Sequence, residues 1–135
     1  MLVKTHLGLA EAKAVAAAAN ATAVKNGWNV VIAILDEGGA LHYLERMDGT
    51  QMASVIIAQE KGRTAAQFKR PTKALEDAVT GGRTVIMGLP GVTPIEGGVP
   101  LIYRGELVGA IGVSGVQSHE DGVVAQAGAD YLAGL

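Results

Sequence analysis

The stretch Glu96–Gly115, EGGVPLIYRGELVGAIGVSG, limits what the chain can become more than any other. Val99–Tyr103 and Glu106–Ser114 read as apolar strands separated only by Arg104-Gly105, a connection short enough to force an antiparallel hairpin. Pro100 has no N–H to donate, so it belongs near the start of a strand or at a sheet edge. Gly97-Gly98, just ahead of the hairpin, can take backbone angles closed to other residues. Gly109, Gly112 and Gly115 recur every third residue and so fall on alternating faces. Glycine weakens a strand unless something must come close to it. These glycines therefore predict a helix or a ligand lying against the sheet, and we expect Gly97, Gly98 and Gly109 to be crowded, or at positive φ, around one cleft.

The rest of the chain supplies a second hairpin and the helices to cover both. Gly8-Leu9-Ala10-Glu11 opens an alanine-rich helix that runs to about Lys25 and stops at Asn26-Gly27. Trp28–Leu35 is a continuous, β-branched apolar run, the pattern of a strand covered on both faces. Asp36-Glu37-Gly38-Gly39 turns it into Ala40–Met47, where His42, Leu44 and Arg46 share one face and Leu41, Tyr43, Glu45 and Met47 the other. Helical spacing predicts a helix over 51–68 and another opened by Pro71-Thr72, with Thr72 as its cap. Gly81-Gly82 ends that helix, Thr84–Met87 suggests a short strand, and Gly88–Gly98 reads as a loop. A last helix is expected over about Glu120–Ala133, after Ser118. The resulting architecture is α/β of the α+β kind: one mainly antiparallel sheet of four or five strands flanked by helices.

At 135 residues the chain suits one domain, residues 1–135, with one core. The 11 basic residues are scattered and the formal net charge is −2, which argues against a nucleic-acid partner. The absence of cysteine excludes disulfides and thiolate metal sites. No uninterrupted apolar run reaches membrane-spanning length, and Glu11 and Lys13 interrupt what would otherwise imitate a leader, so no membrane association and a cytoplasmic location are expected.

Four segments, GGVPL and GAIGVSG of the second hairpin, LDEGGALHYLERMDG at 35–49 and EKGRTAAQF at 60–68, resemble in this order the HbpS/GlcG-like haem-binding family, sometimes called haem-degrading, which includes the C-terminal domain of PduO adenosyltransferases. The resemblance implies a profilin-like sandwich, commonly a homo-oligomer, and haem or a related tetrapyrrole as ligand.

Among residues able to carry chemistry, the three histidines His6, His42 and His119 are never spaced as a local metal motif. Haem needs only one axial ligand and an apolar slot. His6, ahead of the first helix, is placed to reach an iron, in its own subunit or across an interface; His42 equally suits a hydrogen-bonded strand residue. A separate site is expected between the RMDG turn, the Lys61–Thr64 helix segment and the Glu96–Val99 loop. Arg46 could hold a carboxylate bidentately or brace its turn against Asp48. Lys61, with Thr64 one turn on, is either a surface cation or a second carboxylate anchor. Glu96 is a candidate acid or base, with Lys61 as its catalytic companion, and the Gly97 and Gly98 amides could cradle an anion. Two functions stay open: a small-ligand-binding protein of the haem/tetrapyrrole type, or a small catabolic enzyme (tautomerase, hydrolase or lyase) acting on an organic acid.

Overall fold

The computed structural model describes residues 1–135, in the order α1 (Leu9–Asn26), β1 (Val31–Asp36), β2 (Leu41–Arg46), α2 (Ser54–Phe68), α3 (Thr72–Thr80), a 3-10 turn (Thr84–Gly88), β3 (Gly98–Tyr103), β4 (Glu106–Ser114) and α4 (Ser118–Ala133). The strands form one sheet in the order β2-β1-β4-β3, every pairing antiparallel. The two hairpins therefore meet along β1 and β4, and the sheet has four strands rather than five.

The continuous apolar run of β1 is explained by burial on two faces. Val30, Ile32 and Ile34 join Val15, Ala19, Ile111, Val113, Val124 and Leu132 in the main core beneath α1 and α4. Val31, Ala33 and Leu35 point the other way, toward Ala58 of α2. Residues 31–35 are at most 1% exposed, and each such Val, Ile or Leu contributes about 1.5–3 kcal/mol through burial. The product is the α+β, profilin-like sandwich expected: a helical layer of α1 and α4 on one face, and α2 with α3 on the other.

The glycines of β4 decide how closely α2 lies. A Cβ on Gly112 would sit 1.9 Å from the Ala58 carbonyl oxygen and 2.6 Å from the Gly62 nitrogen, and one on Gly98 would sit 2.2 Å from the Lys61 carbonyl oxygen. Helix backbone rests directly on strand backbone here, so the close approach read from the sequence is made by a helix. Gly109 is crowded from the strand beside it, by the Leu35 carbonyl oxygen.

Several local expectations change. Thr84–Gly88 is a 3-10 turn, not a strand. Thr72 does not cap α3; its hydroxyl instead accepts the Gly98 N–H at 2.9 Å, tying α3 to the start of β3. Helix α4 begins at Ser118, with the Glu120 carboxylate accepting the Gln117 N–H at 3.2 Å. No helix is long and apolar enough to cross a membrane.

Candidate functional site

Lys61 does not sit on the surface. Its side chain is 2% exposed, and Nζ donates to the Val113 carbonyl oxygen at 3.0 Å and to Asp121 Oδ2 at 3.1 Å, where Asp121 is also 2% exposed. The backbone explains the need for it. Val113 N–H donates to Gly97 O, the last rung of the β3–β4 ladder. Gly97 then turns away at φ 134, and Lys61 supplies the donor that a continuing strand would have given to Val113 O. Burial pushes the Asp121 carboxyl above the usual carboxylate range, against the pull of Lys61 and of the Val116 N–H. Lys61 is thus neither a surface cation nor, here, the anchor of a ligand's carboxylate: the carboxylate it holds is the protein's own and lies 60 residues further along the chain. A Cβ on Gly97 would lie 2.8 Å from Lys61 Nζ and 2.6 Å from Val113 O, so the Gly97 backbone packs directly against both.

The other members of that expected site are similarly engaged. Thr64 is fully buried; its hydroxyl donates to Glu60 O at 2.8 Å and accepts the Thr93 N–H at 3.0 Å, pinning the loop before β3 to α2. The Gly98 amide is taken by Thr72. Glu96 lies by the first turn of α4, against Gly122 and 3.9 Å from Lys73 Nζ, and is 20% exposed. Arg46 and Asp48 are exposed; the Arg46 guanidinium contacts the Met52 sulfur. Their turn is braced by Thr50, whose hydroxyl donates to Met47 O at 2.7 Å, and not by an Arg46–Asp48 pair. The structure brings Lys61, Gly97 and Gly98 together as a packing junction, and Arg46 and Asp48 share no hydrogen bond or ion pair with Lys61, Thr64 or Glu96.

The one cleft in the fold is elsewhere. It has a volume of about 240 Å³ and is lined by Thr5, His6, Leu7, Glu11, Tyr103, Val108, Leu132 and Leu135. Leu7, Tyr103, Val108, Leu132 and Leu135 make most of its wall apolar, with Thr5, His6 and the Glu11 carboxylate as its polar members, where the N-terminal segment, α1, the β3–β4 hairpin and the end of the chain converge. The segment carrying His6 is tied on both sides: Glu106 Oε1 accepts the Thr5 N–H at 3.1 Å, and Glu11 Oε1 accepts the Gly8 N–H at 3.1 Å. The His6 side chain is 75% exposed, with Nδ1 3.3 Å from Glu37 Oε1 in the β1–β2 turn. Arg104 lays its guanidinium 5.0 Å from the centre of the Tyr103 ring, a cation beside a cleft wall. His42 and His119 are exposed and line no cleft. No glycine lines it either, so the crowding of Gly97, Gly98 and Gly109 belongs to packing rather than to this cleft. His6 was visible in the sequence; Tyr103, Val108 and Leu132 were not readable as its neighbours, because only the tertiary fold joins them.

Comparison with known proteins agrees with the fold. Residues 7–130 match the family model described as haem degrading protein HbpS-like. The chain is 45% identical over 114 residues to Protein GlcG of Escherichia coli K12, covering 84% of this chain and 85% of that protein. It is 31% identical over 131 residues to an uncharacterized 15.0 kDa protein of Citrobacter freundii, covering 94% of this chain and 92% of that one. A crystal structure of a double mutant of HbpS from Streptomyces reticuli superposes with a TM-score of 0.89 at 32% identity, covering 98% of this chain and 90% of the other. The crystal structure of a PduOC:heme complex superposes at 0.84 with 27% identity, covering 93% of this chain and 94% of the other. With the matched segments spanning both hairpins and all four helices, this chain belongs to the HbpS-like family.

Proposed function

We propose that the chain is a small-ligand-binding protein of the haem/tetrapyrrole type, that it takes its ligand at the His6 cleft, and that His6 is the axial donor. One observation carries this reading: the one cleft of the fold has apolar walls and an imidazole on its rim whose Nε2 makes no hydrogen bond. Those are the two things haem asks of a protein, an axial nitrogen and an apolar slot. Leu7, Val108, Leu132 and Leu135 would pack on the macrocycle, and Arg104 places a cation beside the cleft for an acidic substituent. Bound haem would supply a redox-active iron, and His6 would be the residue that holds it. The PduOC:heme complex, which shares the fold, supports the choice of ligand class.

The enzyme reading has less behind it. It needs Lys61 and Glu96 to face a common space, and neither lines the cleft. At about 240 Å³ the cleft of one chain falls below the roughly 300–1,000 Å³ of typical ligand sites and does not enclose a ligand the size of haem by itself. We therefore propose a homo-oligomer in which a second copy adds to the cleft walls; light scattering that reports a monomer with haem bound contradicts that part. The test of the main reading is titration of the purified apo-protein with haemin. A saturable shift of the Soret band at one haem per cleft is expected, and a spectrum that follows free haemin throughout overturns it.

A further inference from the structure

Asp36 and Glu37 stand side by side in the β1–β2 turn but do different work. Asp36 Oδ1 accepts the N–H groups of both Gly38 and Ala40 at 2.9 Å, and its backbone exchanges further bonds with Ala40 and Gly39. That closes the turn. Glu37 has no part in it; its carboxylate is instead 3.3 Å from His6 Nδ1. Glu37 does not line the cleft, whereas His6 does. His6 thus borders both the cleft and a carboxylate that lies outside it. The segment around His6 is held by Glu106 at Thr5 and by Glu11 at Gly8, which fixes the backbone from which the ring projects.

We propose that Glu37 is the positioning residue of the His6 site: its carboxylate accepts a hydrogen bond from Nδ1–H, fixes that tautomer, and leaves Nε2 as an electron-richer donor toward the cleft. The physical reason is general. A neutral imidazole has one protonated and one free nitrogen, and the partner of the first decides which is free. Imidazole in water favours the Nε2–H form, the wrong one for a ligand presenting Nε2. A carboxylate at Nδ1 reverses that preference and raises the basicity of the other nitrogen. The inference rests on the reading of His6 as axial donor.

The test has one arm without haem and one with it. Nitrogen-15 NMR of the apo-protein at about pH 8, above the ordinary histidine range, reads the His6 tautomer directly. The wild-type chain should show mainly Nδ1–H; Glu37→Ala should return His6 to mainly Nε2–H, and Glu37→Asp should restore part of the wild-type signal. In the second arm, Glu37→Ala should weaken haemin binding about tenfold, the low end of what outer partners of metal-bound histidines contribute because solvent screens this pair. Glu37→Gln, which keeps an acceptor and loses the charge, should raise the haem reduction potential. A His6 tautomer that is the same in wild type and Glu37→Ala overturns the role of Glu37 while leaving His6 as ligand intact. A wild-type chain that shows Nδ1–H and still takes up no haemin overturns the cleft reading, and the role of Glu37 with it.

Discussion

Lys61 with Asp121 and His6 with Glu37 are both pairs of a nitrogen base and a carboxylate, and they differ in what remains unspent. At the Lys61 junction both side chains are 2% exposed, Nζ bonds two oxygens, and Asp121 also accepts the Val116 N–H. Both side chains there are spent on the protein's own groups, and a buried charge so enclosed holds structure only while its partner stays. At the His6 cleft the imidazole is 75% exposed, Nδ1 lies 3.3 Å from Glu37 Oε1, no hydrogen bond engages Nε2, and most of the surrounding wall is apolar. Residue type alone favours the junction as a site, since it gathers lysine, aspartate and two glycines. Hydrogen-bond accounting favours the cleft.

The sharpest way to break the junction is at its backbone contact. Gly112→Val should cost at least about 4 kcal/mol, or prevent folding, because its Cβ would meet the Ala58 carbonyl oxygen at 1.9 Å and helix α2 cannot retreat without opening the core. Urea denaturation or loss of soluble protein reads this; a stable, well-folded variant would show that α2 can shift. Next in size, Lys61→Met strands a buried carboxylate and should cost about 3–5 kcal/mol, and adding Asp121→Asn should recover part of that by removing the orphaned charge. A double variant whose cost equals the sum of the Lys61→Met and Asp121→Asn single costs would mean that the pair is not coupled. Smallest is Arg46→Ala. Arg46 is exposed, so the change should alter unfolding free energy by no more than about 0.5 kcal/mol and leave haemin affinity unchanged. A large loss of haemin affinity there would return the site to the RMDG turn.

How much was legible follows the range of the interactions. Both hairpins announce themselves locally: the pair Arg104-Gly105 adopts positive φ at both positions, 50° and 79°, as a tight two-residue turn requires. The β-branched run before Asp36 and the alanine helix before Gly27 are equally local. Thr84–Met87 misled because β-branched residues favour strands only where a partner strand exists, and this segment lies between α3 and a loop. Lys61 misled because lysine is rarely buried without a partner, and its partner is 60 positions away. The cleft was the least legible part, since Leu7, Tyr103 and Leu132 meet only after α1, the second hairpin and α4 have packed.

The central claim is that His6 serves a ligand and not the fold. It is tested most directly by following haemin binding and thermal unfolding of His6→Ala beside the wild-type chain. We expect an unfolding free energy within about 0.5 kcal/mol of wild type, together with a displaced Soret band and haemin affinity at least about tenfold weaker. A His6→Ala protein that binds haemin with the wild-type spectrum and affinity would contradict the account.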